Sequence, residues 1–168
     1  MKVLLVCIVF FTSLFSLEDR QALMDSISQH ALRIGNGPNT TYSFVDPLCP
    51  KSQAFIELIS TRNDLQEATS YYIFLYELPK FLSTEFIIHI YQSEDPVQTL
   101  KEIMIHEEYD IESPQITEKT KQKLESISEV AKQMNIKRRP YLLLFQEGSK
   151  YCMVSEGTAP CLEENDFD

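Results

Sequence analysis

Tyr42-Ser43-Phe44-Val45-Asp46-Pro47-Leu48-Cys49-Pro50-Lys51-Ser52 is the stretch that decides how this chain is read. It is an apolar run ending in a cysteine, and it reads as a short strand, a turn and the first turn of a helix. Pro50 suits the first helical position, where a missing N–H costs nothing and the fixed φ is already helical. Ser52-Gln53-Ala54-Phe55-Ile56-Glu57-Leu58-Ile59-Ser60 then carries its apolar residues on one stripe. Cys49 therefore stands at a helix N-terminus, where free amides and the positive dipole end favour a thiolate. Lys51 adds positive charge to that environment, and Asp46 opposes it.

Outward from this stretch, the chain alternates strands and helices. Residues 17–34 place Leu17, Ala22, Leu23, Ile27, Ala31 and Ile34 at helical spacing, and Gly35-Asn36-Gly37-Pro38 ends that helix. Tyr71-Tyr72-Ile73-Phe74-Leu75-Tyr76 is a continuous aromatic and β-branched run, as expected of a strand covered on both faces. Two strands separated by a helix predict a parallel crossover. From about 80 to 136 the spacing predicts helices: one over Ser83 to Tyr91, one capped by Asp95-Pro96, and one restarting at Ser113-Pro114. Tyr141-Leu142-Leu143-Leu144-Phe145 predicts a strand. Gln146 to Lys150 reads as a hairpin turn, and Tyr151-Cys152-Met153-Val154 pairs back on that strand. The fold class is α/β.

The ends and the composition narrow the function. Met1-Lys2 followed by Val3 to Phe11 has the form of a secretory signal, with cleavage near Ser16; a retained N-terminal anchor is the alternative. The apolar run is short for a membrane span. The chain carries 15 Lys and Arg against 25 Asp and Glu, for a formal charge of −10. Losing residues 1–16 takes away one positive charge and leaves it more acidic still. That balance argues against nucleic acid and anionic membrane as partners. Of four cysteines, Cys49, Cys152 and Cys161 remain after cleavage, so at least one thiol is left unpaired within the chain. Cys152 and Cys161 could close a small structural loop around Gly157 and Pro160, or one of them could serve as a distant resolving thiol. Alternatively, all three are small buried apolar groups. His30, His89 and His106 have no spacing that builds a metal site, and no glycine loop cradles a phosphate, so neither metal nor cofactor is expected.

The order of these parts resembles the thioredoxin fold, with Cys49-Pro50-Lys51-Ser52 after the first strand and Arg139-Pro140 before the hairpin. The closer likeness is to the catalytic domain of DsbC/DsbG-type periplasmic disulfide isomerases. Ile88 to Leu100 looks like that family's insertion helices, and Met134 to Leu144 like its approach to the proline. The likeness spans roughly residues 41–156, leaving 1–16 as signal peptide and 17–40 as an N-terminal helix and linker ahead of a thioredoxin-like domain over 41–168. It implies a cis Pro140 facing the Cys49 sulfur, with the positive charge of Arg139 brought near that sulfur. The chain departs from the family pattern in three respects. Ser52 stands where a second cysteine would be, only the 17–34 helix stands where the dimerisation domain would be, and the tail after Thr158 is short for the closing helix.

With Ser52 there, a lone Cys49 thiolate could still attack a substrate disulfide and await release by another thiol. The expected role is thiol–disulfide exchange or isomerisation on exported cysteine-containing proteins, or with a periplasmic redox partner. The alternative is a non-catalytic thioredoxin-fold module that holds an extended peptide beside Pro140.

Overall fold

The computed structural model describes residues 17–111, 115–145 and 152–157. The signal-like segment, Ser113-Pro114, the 146–150 turn, Tyr151 and Cys161 lie outside the described residues, and Cys152 is described in its backbone only. The elements in chain order are α1 (Leu17–Ile27), β1 (Leu32–Ile34), β2 (Asn39–Val45), α2 (Pro50–Thr61), α3 (Asn63–Ala68) and β3 (Thr69–Leu75). They continue with α4 (Thr84–Gln92), α5 (Pro96–Met104), α6 (Glu118–Gln133), β4 (Tyr141–Phe145) and β5 (Cys152–Glu156).

The five strands form one mixed sheet in the order β1-β3-β2-β4-β5. β2 and β3 run parallel, as the intervening helix predicts, with Tyr42 opposite Tyr72 and Val45 opposite Leu75. β4 lies antiparallel to β2, and β5 antiparallel to β4. The central strands are buried on both faces, which is why β3 reads as a near-continuous aromatic and apolar run and why Thr41 and Ser43 of β2 are buried too.

One sheet face is aromatic. Tyr42 stacks near Tyr72, Phe74 and Phe145, and Phe44 lies among Phe74, Tyr76 and Tyr141. Helix α1 covers this face: Met24 and Ile27 enter the core, and the Tyr42 hydroxyl bonds the Asp25 carboxylate at 3.0 Å. On the other face α2 sets Phe55 edge-on to Tyr71. The Asp95 side chain caps α5 by accepting the Gln98 N–H at 3.0 Å, as its Asp-Pro start predicts.

Three expectations are corrected. The helix expected over 17–34 ends at Ile27, and a single 3-10 turn over Ser28–His30 leads into β1. Leu32 and Ile34 are buried around an exposed Arg33, a period of two that pairs antiparallel with β3. Residues 17–40 are therefore not a helix and linker outside the domain, because β1 and the start of β2 belong to its sheet. Gly35 makes the turn between them at φ +77, where a Cβ would meet the Thr69 carbonyl oxygen at 2.3 Å. The third expected insertion helix begins at Glu118 behind a Thr117 cap, not at Ser113-Pro114.

Candidate functional site

The site forms where β2 ends. Asp46 accepts the Cys49 N–H at its backbone carbonyl (3.1 Å), which closes the turn through Pro47 and Leu48. Cys49 is the N-cap of α2, with extended φ and ψ, and Pro50 opens the helix behind it. Its carbonyl accepts the Gln53 N–H at 2.9 Å, the first hydrogen bond of the helix. The thiol is thus placed at the N-terminus of a twelve-residue helix, as the sequence predicts. It is a free thiol and only 5% exposed.

The second half of the site arrives ninety positions later. Arg139-Pro140 is a cis peptide, and the Arg139 carbonyl oxygen lies 3.9 Å from Cys49 Sγ. Gly157, just past β5, donates its N–H to the Pro140 carbonyl at 2.7 Å and so ties the far edge of the sheet to this loop.

The charged groups fall differently from their sequence reading. Arg139 is almost wholly buried, and its guanidinium turns toward the chain after β3: Nε donates to the Tyr76 carbonyl at 3.0 Å and Nη2 to the Glu77 carbonyl at 3.4 Å. The guanidinium also stacks 4.1 Å above the Tyr76 ring. Burial lowers its pKa, while Tyr76, Asp46 and Cys49 act the other way. Lys51 sits in the first turn of α2, partly exposed. Asp46 is fully buried. Burial raises its pKa, while the Leu78 and Leu48 N–H groups, the Ser83 hydroxyl and the Arg139 charge pull it back down.

Ser52 is fully buried one turn into α2, and its hydroxyl accepts the Asp46 N–H at 3.3 Å. An oxygen at this place supports the turn but cannot bond to the Cys49 sulfur. A groove of about 560 Å³ runs between the chain after β3 and the approach to Pro140; its walls mix Tyr76, Leu78, Pro79, Leu82 and Ile136 with the charged Glu77, Lys137 and Arg139, and Arg139 is also the residue whose carbonyl faces the Cys49 sulfur. Leu82 stands on its rim 78% exposed and in the left-handed backbone region at φ 52, which is unusual for a branched residue. Neither the groove nor Leu82 has a signal in the sequence.

The arrangement thus joins a helix-capping thiol, a cis-proline loop and a groove of mixed polarity at one end of a five-stranded mixed sheet. Solved structures share that fold. A disulfide interchange protein from Neisseria gonorrhoeae superimposes with a TM-score of 0.61 at 13% identity, over 80% of this chain and 90% of its own. The fold is that of thioredoxin-like disulfide interchange proteins. Proteus mirabilis ScsC in a transitional conformation matches with a TM-score of 0.58 at 16% identity, over 84% of this chain and 74% of its own. The thiol-disulfide exchange protein alpha-DsbA2 of Wolbachia pipientis gives 0.52 at 12% identity, over 84% and 90%. No family model and no curated protein matches the chain. The likeness is one of fold, to thioredoxin-like disulfide interchange proteins in general.

Proposed function

We propose that this chain is an exported monothiol protein of thiol–disulfide exchange, with Cys49 as its attacking sulfur and Pro140 as the loop that faces it. One observation carries the reading: Cys49 Sγ, at the N-terminus of α2, lies against the carbonyl of the residue before cis Pro140. In the proposed reaction the Cys49 thiol gives up its proton and the thiolate attacks one sulfur of a substrate disulfide. A Cys49–substrate bond forms, the substrate disulfide breaks, and the departing sulfur leaves as a thiolate that takes up a proton. Another thiol of the substrate then attacks the substrate sulfur of the mixed disulfide, forms a new substrate disulfide and returns Cys49 as a thiolate. No net oxidation or reduction occurs, so the outcome is isomerisation. Pro50 sets the helix start and Lys51 supplies positive charge at it, whereas Ser52 closes the internal release route.

Substrates in this reading are exported proteins with cysteines, met in the periplasm after a signal over residues 1–16 is removed. Among the described residues no helix is long and apolar enough to cross a membrane. The finer kinship we propose is with DsbC/DsbG-type isomerases, in a form whose motif has lost its second cysteine. Two experiments test the proposal. The mature protein should restore activity to a protein with mispaired disulfides in the presence of a small thiol, and Cys49→Ala should not. N-terminal sequencing of the exported protein should begin near residue 17; an intact Met1 in the membrane fraction would remove the periplasmic part.

A second reading has its own observation. The Cys49 thiol is buried and Ser52 bonds the turn, so the groove could hold an extended peptide with no covalent step. That binding module requires peptide affinity unchanged in Cys49→Ala.

A further inference from the structure

Asp46 makes four hydrogen bonds, three of them local. Its backbone N–H donates to Ser52 Oγ at 3.3 Å, its carbonyl accepts the Cys49 N–H at 3.1 Å, and Oδ1 accepts the Leu48 N–H at 2.9 Å. These shape the turn that presents the thiol. The fourth leaves the turn altogether: Oδ2 accepts the N–H of Leu78, thirty-two positions along the chain. A turn of this kind needs one side-chain acceptor, which Asn or Ser would supply without a charge. A fully buried carboxylate is costly to keep, and here its second oxygen accepts the Leu78 N–H while the Ser83 hydroxyl and the Arg139 charge also favour its ionised form.

Leu78 is a wall of the groove that Arg139, the residue facing the Cys49 sulfur, also lines. Arg139 holds the same wall through the preceding carbonyls of Tyr76 and Glu77. The wall is therefore gripped by two residues of opposite charge. One lies three positions before Cys49, and the other offers its carbonyl to the Cys49 sulfur.

We propose that Asp46 is a positioning residue for substrate capture: its carboxylate holds the Leu78 wall in register with the Cys49 sulfur, so that a chain lying in the groove brings its own sulfur to the thiol. This rests on the proposed exchange at Cys49. Asp46 acts through the wall and touches neither sulfur.

The test uses Asp46→Asn, which keeps the shape but has one acceptor oxygen and an amide that opposes an N–H. The readout is the ratio of two Cys49 rates, one with an extended cystine peptide and one with a small aromatic disulfide that does not fill the groove. The ratio falls about tenfold in Asp46→Asn, as expected for the loss of one charge-assisted hydrogen bond. Hydrogen exchange at the Leu78 amide accelerates in the same variant. An unchanged ratio, with both rates altered by a common factor, would overturn the proposal. If Asp46→Asn does not fold, the wild-type protein decides, because a Leu78 amide exchanging as fast as an open loop overturns it equally. Should Cys49 react with neither disulfide, the exchange activity itself fails, while Leu78 exchange still reports on the link.

Discussion

The sulfur of Cys49 lies 3.9 Å from the carbonyl oxygen of Arg139, a residue ninety positions away that precedes a cis proline. That single approach joins the turn after β2 to the loop before β4, two neighbouring strands of the sheet. It sets the Cys49 thiol, at the N-terminus of α2, against a residue that also lines the groove.

Ser52→Cys should add an internal release route to the site. Ser52 stands one turn from Cys49 with its side chain buried toward Asp46. A sulfur in its place gives the mixed disulfide an internal attacker. The lifetime of a Cys49–peptide adduct should shorten about tenfold or more, and a 49–52 disulfide should appear in the oxidised protein. The Asp46 N–H loses its oxygen acceptor, at about 1 kcal/mol in stability. Adduct decay followed by intact mass checks the first effect, and urea unfolding the second.

Tyr91→Phe should destabilise the fold without touching the thiol. The Tyr91 hydroxyl is buried and accepts the N–H of Leu75, the last residue of β3, at 3.0 Å. Removing it leaves a buried donor unpaired, which costs about 1–3 kcal/mol. Denaturant unfolding reads the loss, and an unchanged midpoint contradicts it.

Stability should depend on pH through His30. Burial, and then the nearby Lys123 charge, hold its pKa below the ordinary histidine value of 6.5. Above that value both folded and unfolded chains hold it neutral, and its contribution is fully present. As the pH falls, the unfolded chain takes up the proton first, so stability declines until the folded His30 is protonated too. His30→Gln should flatten this part of the melting temperature profile between about pH 5 and 7. A slope that survives the substitution places its origin elsewhere.

The parts of the fold that were legible in the sequence are those written in local chemistry. Pro50 behind Cys49 marks a helix start, Asp95-Pro96 marks another, and Tyr71 to Leu75 is too uniformly apolar for anything but a doubly covered strand. β1 escapes because three residues are too few for a period of two to stand out, and Ala31 and Ile34 continue the spacing of Ile27. α3 escapes for want of an apolar stripe, since none of its residues is buried. At the site, Cys49, Pro140 and Ser52 are legible from their order. Asp46 is legible as a charge but not as a link, because nothing near it announces Leu78. Arg139 reads as a cation for the thiol, yet its guanidinium reaches the Tyr76 and Glu77 carbonyls, a choice set by how β3 ends beside β4's approach.

The central claim is that Cys49 captures a substrate sulfur and that Ser52 cannot release it. The most direct measurement is the intact mass of the mature protein after exposure to a cystine peptide at neutral pH and removal of excess reagent. The account predicts a long-lived adduct of one peptide on Cys49, absent in Cys49→Ala and discharged by added small thiol. Unmodified Cys49, with peptide binding equal in wild type and Cys49→Ala, would contradict it.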